Sequence, residues 1–130
     1  MRGIMMVTIV VFVTAIIIVA ILTKILPANL SQNWVWLGII GLIAFCALDT
    51  HSTWIGISRF GYGAEGNDFP KMLMENFGFV GWAVVKTLTI LGLCWWVLLW
   101  NDIKAQIICL IPLNLVFAVA TLNNYYIFLR

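Results

Sequence analysis

Long apolar segments with almost no charge dominate this sequence and restrict how it can fold. Hydrophobic residues make up 64% of the 130 positions, whereas charged residues make up only 9%. A soluble domain carries roughly 25% charged residues, so this chain has too little polar material to cover a surface in water. Crossing the hydrocarbon core of a bilayer takes about 20 apolar residues in a helix. The sequence therefore predicts an all-α, polytopic membrane protein.

Four segments are long enough to cross a bilayer, at about residues 4–26, 34–58, 78–100 and 105–128. We expect residues 1–130 to form a single integral membrane domain, a four-transmembrane-helix bundle, because the short connections leave no room for a second domain. The first segment is interpreted as a retained helix, since it is longer than the apolar core of a secretory signal and no clean A-x-A cleavage site follows it.

The loop between the second and third spans carries a helix pattern of its own. Asp68 is a suitable N-cap residue, Pro70 suits the first turn, and apolar residues then recur at helical spacing through Phe77. This pattern predicts a short interfacial helix between spans two and three. A simple lead-in to span three is the alternative interpretation.

The distribution of cations predicts an orientation in the membrane. Four cations lie near one predicted interface and two near the other. The larger group is Arg2, Arg59, Lys71 and Arg130, and the smaller group is Lys24 and Lys104. By the positive-inside rule, both termini are predicted to be cytoplasmic. The lipid bilayer is the expected partner, whereas nucleic acid is not, because no cluster of Lys and Arg provides the necessary positive surface.

Two ionisable residues, Asp49 and Lys86, lie well inside predicted spans, where each costs about 2.5 to 3.5 kcal/mol. Asp49 precedes Arg59 by ten residues and Lys86 follows Phe77 by nine. At the rise of a helix, these spacings place both residues about 13 to 15 Å from the same interface. Antiparallel packing of spans two and three would then allow an ion pair. Such a pair is either a structural link, a site for a proton, ion or substrate, or a contact to a partner chain.

Further polar residues extend this predicted intramembrane site. Thr53 shares a helical face with Asp49, and Asn114 and Thr121 share a face of span four. His51 lies nearly opposite Asp49 on a helical wheel and is interpreted as a packing residue. No metal site and no catalytic residue is predicted, and no cofactor can be named.

The loop offers a second candidate site, in which Glu65, Asn67 and Asp68 concentrate oxygen ligands around a glycine. Their spacing is not that of a complete calcium loop. Capping of the following helix by these carboxylates is the simpler explanation.

The order of these residues resembles a family of small prokaryotic multi-span membrane proteins that have the pattern D…T…E-x-N-P…K and no assigned reaction. The segments that carry the resemblance are Leu48-Asp49-Thr50, Glu65-Gly66-Asn67 and Lys86. The chain departs from the pattern after Asn67, where Asp68 replaces the proline. The resemblance implies that Asp49, Glu65, Asn67 and Lys86 act together, in the plasma membrane of a prokaryote.

Two functions of different classes follow from these observations. The first is a small integral membrane subunit that works within a larger membrane complex or a homo-oligomer, since four spans bury little interior. The alternative is a small transporter or an ion or proton conductor, in which Asp49 exchanges the cation and Lys86 competes with it. An intramembrane enzyme is a third hypothesis, but neither Ser52 nor Cys94 has a positioned base in the sequence pattern.

Overall fold

The chain folds into helices joined by short connections. The computed structural model describes residues 17, 20–27, 29–66 and 68–128. Most of the predicted first span, Asn67 and both chain ends lie outside these described residues. The elements are α1 (residues 20–25), α2 (Gln32–Phe60), a single 3₁₀ turn (Tyr62–Ala64), α3 (Asp68–Leu98) and α4 (Ile103–Phe128).

Three of the helices are long enough and apolar enough to cross a membrane: α2, α3 and α4 contain 29, 31 and 26 residues. Large apolar side chains remain exposed along all three, as at Leu37, Leu88 and Leu122. Such a surface suits lipid and not water. The prediction of an all-α integral membrane protein is therefore confirmed for three spans. The fourth span and the orientation of the termini stay predictions.

Close packing is concentrated between α2 and α4, whereas α3 touches both of them less. Two glycines of α2 allow this approach. A Cβ atom added at Gly41 would lie 2.6 Å from Asn114 Oδ1, and one added at Gly38 would lie 3.0 Å from Leu110 Cδ1. Small residues let helix backbones approach closely in a membrane, where water does not drive association.

The buried apolar core lies toward the end of the bundle that is remote from the loop between α2 and α3. Its members come from the first half of α2, the last part of α3 and the first part of α4. They are Val35, Ile39, Leu42, Cys46, Ile90, Cys94, Val97, Ile107 and Leu110. At this end, Gln106 Nε2 donates to Val97 O at 3.1 Å and to Trp100 O at 2.7 Å. The second bond supplies a donor to the carbonyl of Trp100, just past the end of α3, whereas the carbonyl of Val97 also accepts from the backbone N–H of Trp100.

A break in α3 separates the loop-side segment from the rest of the helix. Gly78 has φ 71° and ψ 172°, which are not helical values. A positive φ is costly for residues with a side chain but not for glycine. The short helix predicted from Asp68 and Pro70 is thus present as residues 68–77, and it joins the third span directly at Gly78. Its location at the membrane interface stays a prediction.

Candidate intramembrane polar site

The ion pair predicted from residue spacing is present in the structure. Lys86 Nζ donates to Asp49 Oδ2, and each of the two side chains is only 13% exposed. The pair links α2 to α3. Depth counted along the two helices was therefore a sufficient guide to this contact, because α2 ends and α3 begins at the same loop.

The second carboxylate oxygen of Asp49 has a partner on α4. Asn124 Nδ2 donates to Asp49 Oδ1 at 2.9 Å. One carboxylate thus accepts from an ammonium group on α3 and from an amide group on α4, and the three long helices meet at Asp49. Hydrogen bonds to an ionised acceptor are stronger than those between neutral groups.

Aromatic rings surround the other member of the pair. Lys86 Nζ lies 4.8 Å from the centroid of the Trp82 ring and 5.7 Å from that of Phe117. A cation within about 6 Å of a ring face is attracted by the electron density of the ring. The ammonium group of Lys86 is therefore held by one carboxylate and two aromatic side chains.

Hydroxyl groups near Asp49 bond to the backbone and not to the carboxylate. Ser52 Oγ and Thr53 Oγ1 donate to the carbonyl oxygen of Asp49 at 2.9 Å and 2.8 Å. Both side chains are buried. Of the polar residues predicted beside the ion pair, Thr53 lies next to it. Its hydroxyl proton is donated to the backbone carbonyl of Asp49, within α2, and so is not available to the carboxylate.

The structure places Asn114 and Thr121 away from the ion pair, in the packed face between α2 and α4. Asn114 Nδ2 donates to Gly38 O at 2.9 Å and to Leu110 O at 2.8 Å. Thr121 Oγ1 donates to Phe45 O at 3.4 Å. The bonds to Gly38 and Phe45 join α4 to α2, whereas the bond to Leu110 lies within α4. Interhelical bonds are the more common role of such residues in membranes.

Asn124 was not among the predicted site residues, and it lies near the end of the predicted fourth span. A signal for it exists in the register of α2 and α4. The bonds of Asn114 and Thr121 each join residues 76 positions apart. The same offset applied to Asp49 arrives at residue 125, next to Asn124.

A cavity of about 450 Å³ lies beside the ion pair. Asp49 and Lys86 form part of its wall, and Glu65, Phe69 and Pro70 line it from the loop and the start of α3. Of the four residues that the resemblance grouped together, three line this one cavity. The fourth, Asn67, lies outside the described residues.

The other predicted candidates take positions apart from the cavity wall. Asp68 begins α3, where a negative charge in the first turn is favourable for the helix. His51 Nδ1 and the Tyr125 hydroxyl lie 2.7 Å apart and join α2 to α4. Within the described ranges, no three His, Cys, Asp or Glu side chains are grouped so that they could hold a metal ion.

The chain matches a known protein family. A family profile described as "Domain of unknown function (DUF5658)" matches residues 40–130, which is more than half of the chain. The matched range contains Asp49, Glu65, Lys86 and Asn124. No curated protein and no solved structure matches the chain.

Proposed function

We propose that this chain, which belongs to the family described as Domain of unknown function (DUF5658), is a small membrane transporter or ion conductor that exchanges a proton or another cation at Asp49. The supporting observation is that the ion pair of Asp49 and Lys86 forms the wall of a cavity. A buried ion pair offsets its desolvation cost only through good geometry and further hydrogen bonds to its polar atoms, so burial of a pair is by itself weak evidence for a stabilising role. Ionisable groups that face a cavity inside a membrane are typical of ion and substrate pathways.

Exchange at Asp49 would proceed through opening of the ion pair. A proton that binds the carboxylate neutralises its charge, and a cation that approaches Oδ2 competes for it. Either event weakens the attraction that holds the ammonium group of Lys86 at Asp49. Asn124 keeps its bond to Oδ1 and so maintains the position of the carboxylate. Glu65 lines the loop-side end of the same cavity and provides a further carboxylate along the path.

Proton flux into liposomes tests this proposal. The purified chain is reconstituted with a pH-sensitive dye inside the vesicles, and a potassium diffusion potential drives proton entry. We expect flux above that of empty vesicles, and we expect Asp49→Asn to abolish it. Asp102→Asn is the matched control, because it makes the same chemical change in the turn between α3 and α4. Flux that survives Asp49→Asn unchanged would contradict the proposal.

A second candidate function is that of a subunit in a homo-oligomer or a larger membrane complex. The observation that favours it is the sparse contact between α3 and α4. Both helices line the cavity, together with α2. A helix from a neighbouring chain would close this side and exclude lipid from the ion pair. Native mass spectrometry in mild detergent should then detect species heavier than the 14.6 kDa monomer. A purely monomeric chain with full proton flux would rule out this second function.

A further inference from the structure

The cavity beside the ion pair combines aromatic walls with a charged pair. Trp82, Phe69 and Phe117 supply rings, and the carboxylate of Asp49 accepts from the ammonium group of Lys86 on the cavity wall. Among the described residues that line it, α4 contributes no charged side chain. At about 450 Å³ the cavity falls within the range of sites for small organic molecules, roughly 300 to 1,000 Å³.

Lys86 already shows what kind of group this cavity can hold. Its ammonium group lies against the carboxylate of Asp49 and over the rings of Trp82 and Phe117. A carboxylate together with aromatic faces is the arrangement that recognises organic cations. The ammonium of lysine is strongly hydrated and therefore gains little from leaving water. A cation with large apolar substituents loses less hydration and also fills the aromatic walls.

We propose that the cavity binds a lipophilic organic monocation, which displaces Lys86 from Asp49. This inference rests on the proposed function and specifies the cation. The incoming cation pairs with the carboxylate of Asp49. The displaced ammonium group of Lys86 then releases one proton to water and remains as a neutral amine. One positive charge enters the cavity and one leaves it, so the binding step is an exchange of a cation for a proton.

Equilibrium binding of tetraphenylphosphonium to the detergent-purified chain tests this exchange. Binding is measured by calorimetry, and proton release is measured with a pH indicator in weakly buffered solution. We expect saturable binding and about one proton released for each cation bound. Tetraphenylborate has the same shape and the opposite charge, and it should not bind saturably. A chain that binds both ions alike, or binds the cation without releasing a proton, would overturn the proposal.

Variants separate the roles of the two charged residues. Lys86→Met should still bind the cation, more tightly than the parent, but without proton release. The double variant Asp49→Asn/Lys86→Met has no unpaired buried charge, so it should fold, and it should not bind saturably. Cation binding by the double variant equal to that of Lys86→Met would refute the role of Asp49.

Substitution of one aromatic residue tests the walls of the cavity. Trp82→Leu should weaken binding about tenfold, because it removes the ring nearest the present position of the Lys86 ammonium group. Trp96→Leu is the matched control, since Trp96 is exposed and packs edge to face with Trp100 near the other end of α3. Equal affinities in these two variants would contradict the aromatic site.

The binding measurement and the flux measurement can contradict the two proposals independently of each other. Proton flux that depends on Asp49 in a chain that does not bind tetraphenylphosphonium would overturn this inference and leave the proposed function intact. Saturable cation binding with proton release, but without flux, would support the inference and contradict transport.

Discussion

Substitution of Lys86 by methionine should strongly destabilise the folded chain. The substitution leaves the carboxylate of Asp49, which is 13% exposed, without its opposite charge. Breaking a buried ion pair in this way costs about 3 to 5 kcal/mol. The lower end applies here, about 3 kcal/mol, because the bond from Asn124 to the carboxylate remains.

Two further variants, Asp49→Asn and the double variant, test whether the loss of stability comes from an unpaired buried charge. Asp49→Asn leaves the ammonium of Lys86 over two aromatic rings, so we expect a smaller loss of about 2 kcal/mol. The double variant Asp49→Asn/Lys86→Met removes both charges and should be within about 1 kcal/mol of the parent. The two substitutions are thus expected to be far from additive, with a coupling energy of about 4 kcal/mol.

Reversible unfolding in mixed micelles of mild detergent and dodecyl sulfate measures these free energies, with helicity followed by circular dichroism. Lys104→Met is the matched control, since Lys104 lies in the first turn of α4 and away from the cavity. It should change the free energy of unfolding by less than about 0.5 kcal/mol. If Lys86→Met is as stable as Lys104→Met, or if the double variant loses the sum of both single losses, the reasoning about the buried pair is wrong.

Two pairs of glycine substitutions test the packing that positions the site, by the same unfolding measurement. Gly41→Ala should lower the free energy of unfolding by about 1 to 3 kcal/mol, because the added Cβ lies 2.6 Å from Asn114 Oδ1. Gly63→Ala is the control and should be neutral, since no atom lies within 4 Å of its added Cβ. Equal effects of the two substitutions would contradict a close approach of α2 and α4. Gly78→Ala should cost about 1 to 2 kcal/mol because of its positive φ, whereas Gly92→Ala, with open space around it, should be neutral or stabilising. A tolerated Gly78→Ala would contradict the break in α3.

The ion pair of Asp49 and Lys86 could be predicted from the sequence, whereas its partners on α4 could not. Asp49 and Lys86 lie on spans joined by one loop, and the constant rise of a helix converts residue counts into depth. The rotation of each helix about its axis does not follow from counting. Thr53 therefore lies beside Asp49, since both are on one helix, whereas the α4 amide that contacts the carboxylate is that of Asn124 and not that of Asn114.

The amino-acid sequence alone predicts that the chain enters a membrane, where most of its spans lie, and that two opposite charges share one depth. Uniform apolarity and helical rise are local properties, so they can be read without knowing the neighbours. The tertiary structure was needed to show that Asn124 donates to Asp49, that Phe117 lies near Lys86, and that Glu65 lines the same cavity. Trp82 is on the same helix as Lys86 at i, i+4 spacing, so their contact is local. The contact of Asn124 with Asp49 instead depends on the register between α2 and α4, which approach each other closely at Gly38 and Gly41 and which no local pattern encodes.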